Sequence, residues 1–468
     1  TRSVEENLAL FEDMKNGKRS SFSGKLGYVL AAAGASVGLG NIWRFPYLAA
    51  KYGGGIFLII YIVLALTFGY TMIVAETAIG RMTRKSPVGA FKSFGKKKWL
   101  SFGGWINAVI PVLIVPYYSV IGGWVIKYLV EYFRGNAKLL AEDGYFTDFI
   151  SNGVSTELCF VAFCAFTLII IFAGVQNGIE RVSKIMMPIL IVLSVIIAVY
   201  SVTRPGALAG VKYFLVPNVK NFSWMTVVSA MGQMFYSLSI AMGILITFGS
   251  YMKKDTAIED STRNVEVFDT GIAIMAGLMI IPAVFAFSGG DPDTLQAGPS
   301  LMFITIPKVF QNMGFGTVIG IVFFLLVLFA AVTSSIALTE SAVSTFEDEL
   351  GWGRKKATVL VGVIMLVLGS LSSLGYGPLA GIKIIGMQFL DLFDFLTNSV
   401  MMPIAALLTS LLVSRVVGID KIEEEIIHGE SAFRRKKVFV VMIKYLCPVF
   451  AIIILLSSVA NALGWIKM

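Results

Sequence analysis

The stretch Ala33-Gly34-Ala35-Ser36-Val37-Gly38-Leu39-Gly40-Asn41-Ile42-Trp43-Arg44-Phe45-Pro46 lies inside the first apolar segment of the chain and decides how the rest is read. Glycine disfavours a helix interior, and Gly34, Gly38 and Gly40 together leave the backbone easily unwound. In hydrocarbon, unwound peptide groups must be satisfied by protein, water or a ligand. Small residues also serve close helix packing in membranes. Packing alone, however, does not call for Asn41 and Arg44 directly after the glycines, and polar groups at membrane depth point to function.

The composition agrees with a membrane setting. Of 468 residues, 56% are apolar and 14% charged, against roughly 45–50% and 25% in a soluble domain. Mean hydropathy is +0.80. These values exclude a disordered chain, an ordinary soluble enzyme and a nucleic-acid binder. Apolar segments near 26–50, 54–80, 100–130, 158–174, 180–202, 223–252, 266–289, 315–347, 356–374, 384–413 and 437–463 predict about eleven spans, each judged against the roughly 30 Å hydrocarbon core.

Lys and Arg in the connections set the orientation. One face collects Lys15, Lys18, Arg19, Lys25, Arg81, Arg84, Lys85, Lys253, Lys254, Arg354, Lys355, Lys356, Arg434 and Arg435. The N-terminus is therefore expected in the cytoplasm, and an odd span count puts the C-terminus on the extracellular side. Topology accounts for the net charge of +9. The chain divides into a polar segment 1–25 without the marks of a cleaved signal peptide, five helices over 26–202, an extracellular loop 203–222, five more over 223–413, a cytoplasmic loop 414–436 and an eleventh helix over 437–463. A structured extracellular cap is expected near 289–313, which contains Gly289, Gly290, Asp291, Pro292, Gly298, Pro299 and Pro307.

A second weak point occurs in the sixth segment, Gln233-Met234-Phe235-Tyr236-Ser237-Leu238-Ser239-Ile240-Ala241-Met242-Gly243. Interrupted helices at the first and sixth positions of a ten-helix core suit an inverted repeat. Half-helix N-termini then face an anionic group, while freed carbonyls hold a cation. Glu76, Asp269, Glu340, Asp391 and Asp394 also sit in apolar context. A lone carboxylate at mid-membrane costs at least about 2.5–3.5 kcal/mol, so each needs a partner. Glu76 is read as a brace accepting from unwound amides, Asp391 as a helix-end group, and Glu340 receives no role. Thr333-Ser334-Ser335 could bond back to the preceding turn; opposite a break, the same hydroxyls become hard oxygen ligands suited to Na⁺. Cys159, Cys164 and Cys447 lie in apolar runs as inert thiols, and His428, the sole histidine, leaves no basis for a His-based proton relay or metal site.

Gly38-Leu39-Gly40-Asn41-Ile42-Trp43-Arg44-Phe45-Pro46, the Ser-Leu-Ser break and the Thr-Ser-Ser run resemble the neurotransmitter:sodium symporter family along nearly the whole chain. The likeness is strongest to the bacterial eleven-helix amino-acid transporters. It implies an all-α polytopic protein of the LeuT-type fold in a bacterial inner (cell) membrane. That fold inverts helices 1–5 onto helices 6–10, adds an eleventh, and breaks helices 1 and 6. It implies two Na⁺ sites: one from the Ser36 carbonyl, Asn41, Ser237 and Asp269 with the substrate carboxylate, the other from Gly34, Val37, Ala330, Thr333 and Ser334. The substrate carboxylate would meet the Leu39 and Gly40 amides and the Tyr118 hydroxyl. Its ammonium would meet carbonyls of Ser36, Tyr236 and Ser237 and the Ser239 hydroxyl. Ile114, Tyr236, Met242 and Leu338 would line a side-chain pocket without charge, suited to a neutral, mainly hydrophobic L-amino acid. Ala241 stands where relatives often have glycine.

The same resemblance implies an outer gate of Arg44 and Asp394 above a Tyr118–Tyr236 lid. The inner gate would pair Arg19 with Asp348 beside Phe22 and Tyr251; Phe22 stands where tryptophan is usual. Gly178 and Pro188 match relatives whose fifth helix unwinds, although a tolerated kink fits the same residues. Tyr61, Gln233 and Ser237 match chloride-binding positions, but Ala273 lacks the expected hydroxyl and Asp269 adds a negative charge, so no chloride requirement is expected. A channel would need filter rings, and an intramembrane enzyme a nucleophile with its base; neither pattern is present. A non-transporting amino-acid sensor on the same scaffold stays open. The oligomeric state is not legible.

Overall fold

The apolar runs become helices in the computed structural model, which describes residues 19–290 and 299–466. Lys15 and Lys18 with the rest of 1–18, and Asp291, Pro292 and Gly298 of the expected cap, lie outside the described residues. The first segment is split into α1a (Lys25–Ser36) and α1b (Gly40–Lys51), bent by 62°. There follow α2 (Gly55–Thr83), α3 (Lys98–Phe133), α4 (Gly153–Phe172) and α5 (Val175–Val202). The sixth segment is again split, into α6a (Trp224–Ser237) and α6b (Ile244–Ser250). Then come α7 (Ile258–Ser288), α8 (Gly316–Leu350), α9 (Arg354–Leu374), α10 (Phe389–Val417) and α11 (Lys436–Ala462). Among the described residues, nine unbroken helices are long and apolar enough to cross a membrane. With the two split segments they match the eleven expected positions.

The seventh helix differs most from expectation, starting at Ile258 rather than near 266. Its first two turns carry Glu259, Asp260 and Arg263, which hydropathy assigns to a connection. Helical hydrogen bonding simply continues past the apolar stretch. Short helices occupy the connections at Leu208–Leu215, Leu301–Gln311 and Ile419–Ile426.

At the first break, the Val37 N–H still reaches the Ala33 carbonyl at 2.8 Å, but Gly38 turns to Ser36 at 3.1 Å and Asn41 to Gly38 at 3.2 Å. Carbonyls are thereby released toward α8, where the Ser334 hydroxyl lies 3.0 Å from Gly34 O and 3.4 Å from Val37 O. The glycines serve close approach as well as unwinding. A Cβ on Gly38 would fall 2.6 Å from Ser334 Oγ, and one on Gly40 would fall 2.5 Å from the Tyr236 ring.

The second break runs from Leu238 to Gly243, with Ser239 at φ +56°, Ala241 at +63° and Gly243 at +77°. Left-handed backbone costs an L-residue about 1–2 kcal/mol, so neighbours must hold it. Glu76 on α2 accepts from the Ala241 amide at 3.0 Å, and Ser239 donates to the Ala35 carbonyl at 2.8 Å, tying the two breaks together. Glu76 is fully buried, and its bond goes to the broken backbone.

Replacing Glu76 with alanine strands a buried amide at strained backbone, a loss of about 1–3 kcal/mol. Glu76→Ala should melt at lower temperature in a detergent-solubilised thermal scan, while Glu76→Gln, which keeps an acceptor oxygen, should recover most of the difference.

Candidate functional site

A cavity of about 40 Å³ lies between the two breaks. Ser36, Leu39, Gly40, Ile114, Tyr118, Tyr236, Ser237, Ser239, Met242 and Leu338 all line it, which is every residue expected to hold a substrate. Asn41 and Ser334 also reach it, as do Ile244 and Asn398, which sequence reasoning missed. Asn398 lies one turn after Asp394 in an apolar helix, and that polar i,i+4 pair was the available signal. No charged side chain lines the cavity among the described residues.

Beside the cavity, oxygens converge. Ser237 Oγ lies 2.6 Å from both Asn41 Oδ1 and Asp269 Oδ1. One hydroxyl proton can serve only one of these acceptors. The Tyr61 hydroxyl donates to Asp269 Oδ2 at 2.5 Å, and Asn41 Nδ2 donates to Oδ1 at 3.2 Å. Asp269 is fully buried, and its hydrogen-bond partners here are neutral. A buried carboxylate without a counter-charge is costly, so this oxygen set fits a small hard cation. The expected Ser36 carbonyl lies on the same break, where Gly38 N–H donates to it at 3.1 Å.

The residues expected of a second ion group lie close to one another. Ser334 Oγ spans the Gly34 and Val37 carbonyls, whereas Thr333 Oγ1 bonds back to Ala330 O at 3.1 Å and Phe329 O at 3.0 Å. Thr333 therefore shows the local bonding open to any helical threonine, and it still sits against Gly34, whose Cβ would meet it at 3.0 Å. All five expected residues thus occupy one locality, with oxygen donors only.

The description "Sodium:neurotransmitter symporter family" matches residues 19–143 and 147–465. The chain belongs to this family. A sodium-dependent transporter of Bacillus subtilis is 34% identical over 95% of this chain and 99% of its own length. One of Methanocaldococcus jannaschii is 31% identical over 87% and 84%. The human sodium- and chloride-dependent GABA transporter 2 is 26% identical over 87% and 75%. The crystal structure of MhsT in complex with L-phenylalanine superposes with a TM-score of 0.83 at 35% identity, covering 94% of this chain and all of that one. The protein is a sodium-dependent symporter with the LeuT-type fold, and not an enzyme.

In this symporter the two faces differ. On the Arg19 face the groups are in contact: Arg19 Nη1 lies 2.8 Å from Asp348 Oδ1, and its Nη2 donates to Ser250 Oγ at 2.9 Å. Phe22 packs edge-on to Tyr28, Phe248 and Tyr251 at 5.5–6.2 Å, filling the place expected of a larger ring. On the Arg44 face a vestibule of about 580 Å³ is bordered by Arg44, Tyr117, Tyr118, Tyr236 and Asp394. There the guanidinium of Arg44 lies 5.2 Å over the Tyr236 ring, and Asp394 accepts from Asn398 and Tyr117 instead of Arg44. The expected Arg44–Asp394 pair is not formed in this conformation, in which Asp394 is bonded to α3 and α10.

Two further residues escaped sequence reading. Arg354, at the start of α9, holds Glu340 through bonds of 3.0 and 2.5 Å, and the Tyr251 hydroxyl donates to the same carboxylate at 2.5 Å. Glu180 on α5 accepts from the Ser23 amide at 3.0 Å just before α1a. α5 itself is wound through Pro188. Gly178 has a packing reason, since a Cβ there would fall 2.1 Å from the Ile170 carbonyl.

Glu340 is fully buried, so removing Arg354 leaves it without a cation. Breaking buried pairs costs about 3–5 kcal/mol, and the partial exposure of Arg354 (17%) favours the lower end. Arg354→Ala should lower thermal stability strongly, and Arg354→Ala combined with Glu340→Gln should regain much of it, as read by thermal unfolding of the purified protein.

Proposed function

We propose that the protein carries Na⁺ together with a neutral, mainly hydrophobic L-amino acid by alternating access. The observation that supports this most is the shared point of Asn41 Oδ1, Ser237 Oγ and Asp269 Oδ1 beside a charge-free cavity. Na⁺ would rest on Asn41, Ser237, Asp269 and the Ser36 carbonyl. A second Na⁺ would rest on Gly34, Val37, Ala330, Thr333 and Ser334. The substrate carboxylate would approach the Leu39 and Gly40 amides. Tyr118 Oη already accepts from the Leu39 amide at 3.3 Å, which leaves its own proton free to donate to that carboxylate. The ammonium would meet the Ser36, Tyr236 and Ser237 carbonyls and Ser239. A charged substrate side chain would find no partner against Ile114, Met242 and Leu338 and is rejected by that cost.

Ligands shift a population only by differential affinity, so Na⁺ would favour the conformation described above. The Arg19 face would be cytoplasmic and the Arg44 face extracellular, with the C-terminus outside. Arg44 and Asp394 would then pair over Tyr118 and Tyr236, and Arg19 would part from Asp348. Unwinding of α5 between Gly178 and Pro188 would free Glu180 from Ser23 and admit water to the second Na⁺ position. The location would be a bacterial inner membrane.

Coupled sites tighten one another reciprocally. Labelled phenylalanine or leucine should bind the purified protein at least about tenfold more tightly in Na⁺ than in K⁺, a coupling of about 1.4 kcal/mol. Equal affinities would defeat the symport reading. Asp269→Asn should raise the Na⁺ concentration needed for half-maximal binding. Counterflow in proteoliposomes separates a carrier from a sensor.

No chloride requirement is proposed. Asp269 occupies the Tyr61 and Ser237 hydroxyls that an anion would otherwise use, and Ala273 supplies no further donor. Uptake with gluconate in place of chloride, at constant Na⁺, should proceed at an unchanged rate; a clear fall would overturn this point.

A further inference from the structure

Asn398 belongs to both the outer gate and the substrate cavity, and neither role was expected of it. It stands in the π-helical turn Phe395–Met401 of α10. Its Nδ2 donates to Asp394 Oδ1, four residues earlier, and lies 3.1 Å from the Tyr117 hydroxyl. The Tyr117 hydroxyl in turn lies 3.3 Å from Asp394 Oδ1. Because the carboxylate can only accept, the amide orientation is fixed: nitrogen toward Asp394, oxygen away. That oxygen, Oδ1, is buried and has no hydrogen-bond donor. The same side chain lines the substrate cavity.

We propose that Asn398 is a positioning residue of the outer gate: its amide holds Asp394 away from Arg44 while the cavity is empty, and a substrate in the cavity releases it. The inference rests on the substrate site and gate of the proposed function. Asp394 is engaged by α10 and α3, and Arg44 lies over Tyr236. Both bonds to Asp394 fall on Oδ1 and fix the orientation of the carboxylate, in which neither oxygen pairs with Arg44, so closure requires the carboxylate to turn. A buried acceptor without a partner makes the present position of the amide an unfavourable one. A bound amino acid fills the cavity that the Asn398 side chain lines, and a side chain displaced by it takes its nitrogen from Asp394, so that the carboxylate is free to turn to Arg44.

The test uses the accessibility of the vestibule. In a chain with Cys159, Cys164 and Cys447 replaced by alanine, Ile121→Cys places a thiol on the vestibule wall, where Ile121 now stands. Its labelling by a membrane-impermeant methanethiosulfonate reagent is followed in NaCl with and without L-phenylalanine. Without phenylalanine, Asn398→Ala should label several-fold more slowly than the background, because Asp394 is released to Arg44. Tyr117→Phe should move the rate the same way by less, and it serves as an independent arm should Asn398→Ala fold poorly. Adding Asp394→Asn to Asn398→Ala should restore the fast rate, which a general packing defect would not allow. Background labelling rates in both Asn398→Ala and Tyr117→Phe, without phenylalanine, overturn the proposal. If phenylalanine fails to slow labelling in the background chain itself, the substrate reading fails instead, and the comparison without phenylalanine still decides whether Asn398 holds the gate.

Discussion

Peptide groups freed at membrane depth must find partners, and the architecture of this symporter is organised around that requirement. Water is scarce there, so each unpaired amide or carbonyl is expensive. The breaks after Ser36 and after Ser237 free both kinds of group. Ser334 answers the Gly34 and Val37 carbonyls, Glu76 answers the Ala241 amide, and Ser239 reaches back to Ala35. These bonds join α1a, α2, α6 and α8 around one point. The cavity exists because the two interruptions lie side by side, and the groups left over between them form its polar lining.

The buried carboxylates separate structure from function by the company they keep. Glu340 has a guanidinium and a phenol, so its charge is balanced inside the protein. Glu76 has a single backbone donor, and its second oxygen is buried without a partner. Asp269 has a phenol, a hydroxyl and an amide, all neutral. Hydrogen bonds from neutral groups stabilise a carboxylate, but they do not cancel its charge. Of the three, Asp269 is the one set among further oxygens that converge on it, and the proposed Na⁺ would complete that arrangement electrically. The same phenol and hydroxyl are engaged by Asp269, so the proposed cation site and the proposed independence of chloride rest on one side chain.

Much of this was legible in the residues. Hydropathy marks helices because every span must match the bilayer, and the Gly38-Leu39-Gly40 run marks the first break because glycine both unwinds and permits contact with Ser334 and Tyr236. The second break is fainter, since Ser239 and Ala241 adopt left-handed backbone without being glycine. Neighbouring side chains hold that geometry, and no local rule reports them. Arg354 was hidden in a basic run, Arg354-Lys355-Lys356, which reads first as topology; its pairing with Glu340 is a tertiary fact. Glu180 and Asn398 were hidden for the same reason. The unformed Arg44–Asp394 pair is of another kind. A transporter's open and closed gates share one sequence, so residue identity names the partners and only coordinates say which are joined.

The contrast between the two faces also constrains the energetics. Arg19 and Asp348 are each 22% exposed, and pairs in contact with water contribute about 0–1 kcal/mol. Closure on that side therefore rests more on Phe22 among its aromatic neighbours and on Tyr251 at Glu340. A weak ion pair backed by apolar packing would suit the proposed inner gate, which must open on every cycle. Moving a two-state population from one extreme to the other needs about 5.5 kcal/mol of differential binding. Ligands held by a handful of carbonyls and hydroxyls can supply a difference of that order only if the gates are nearly balanced beforehand. Arg44 and Asp394, each with a substitute partner in place, would keep that balance under the proposed gating, since closing would bring one set of polar contacts in place of another.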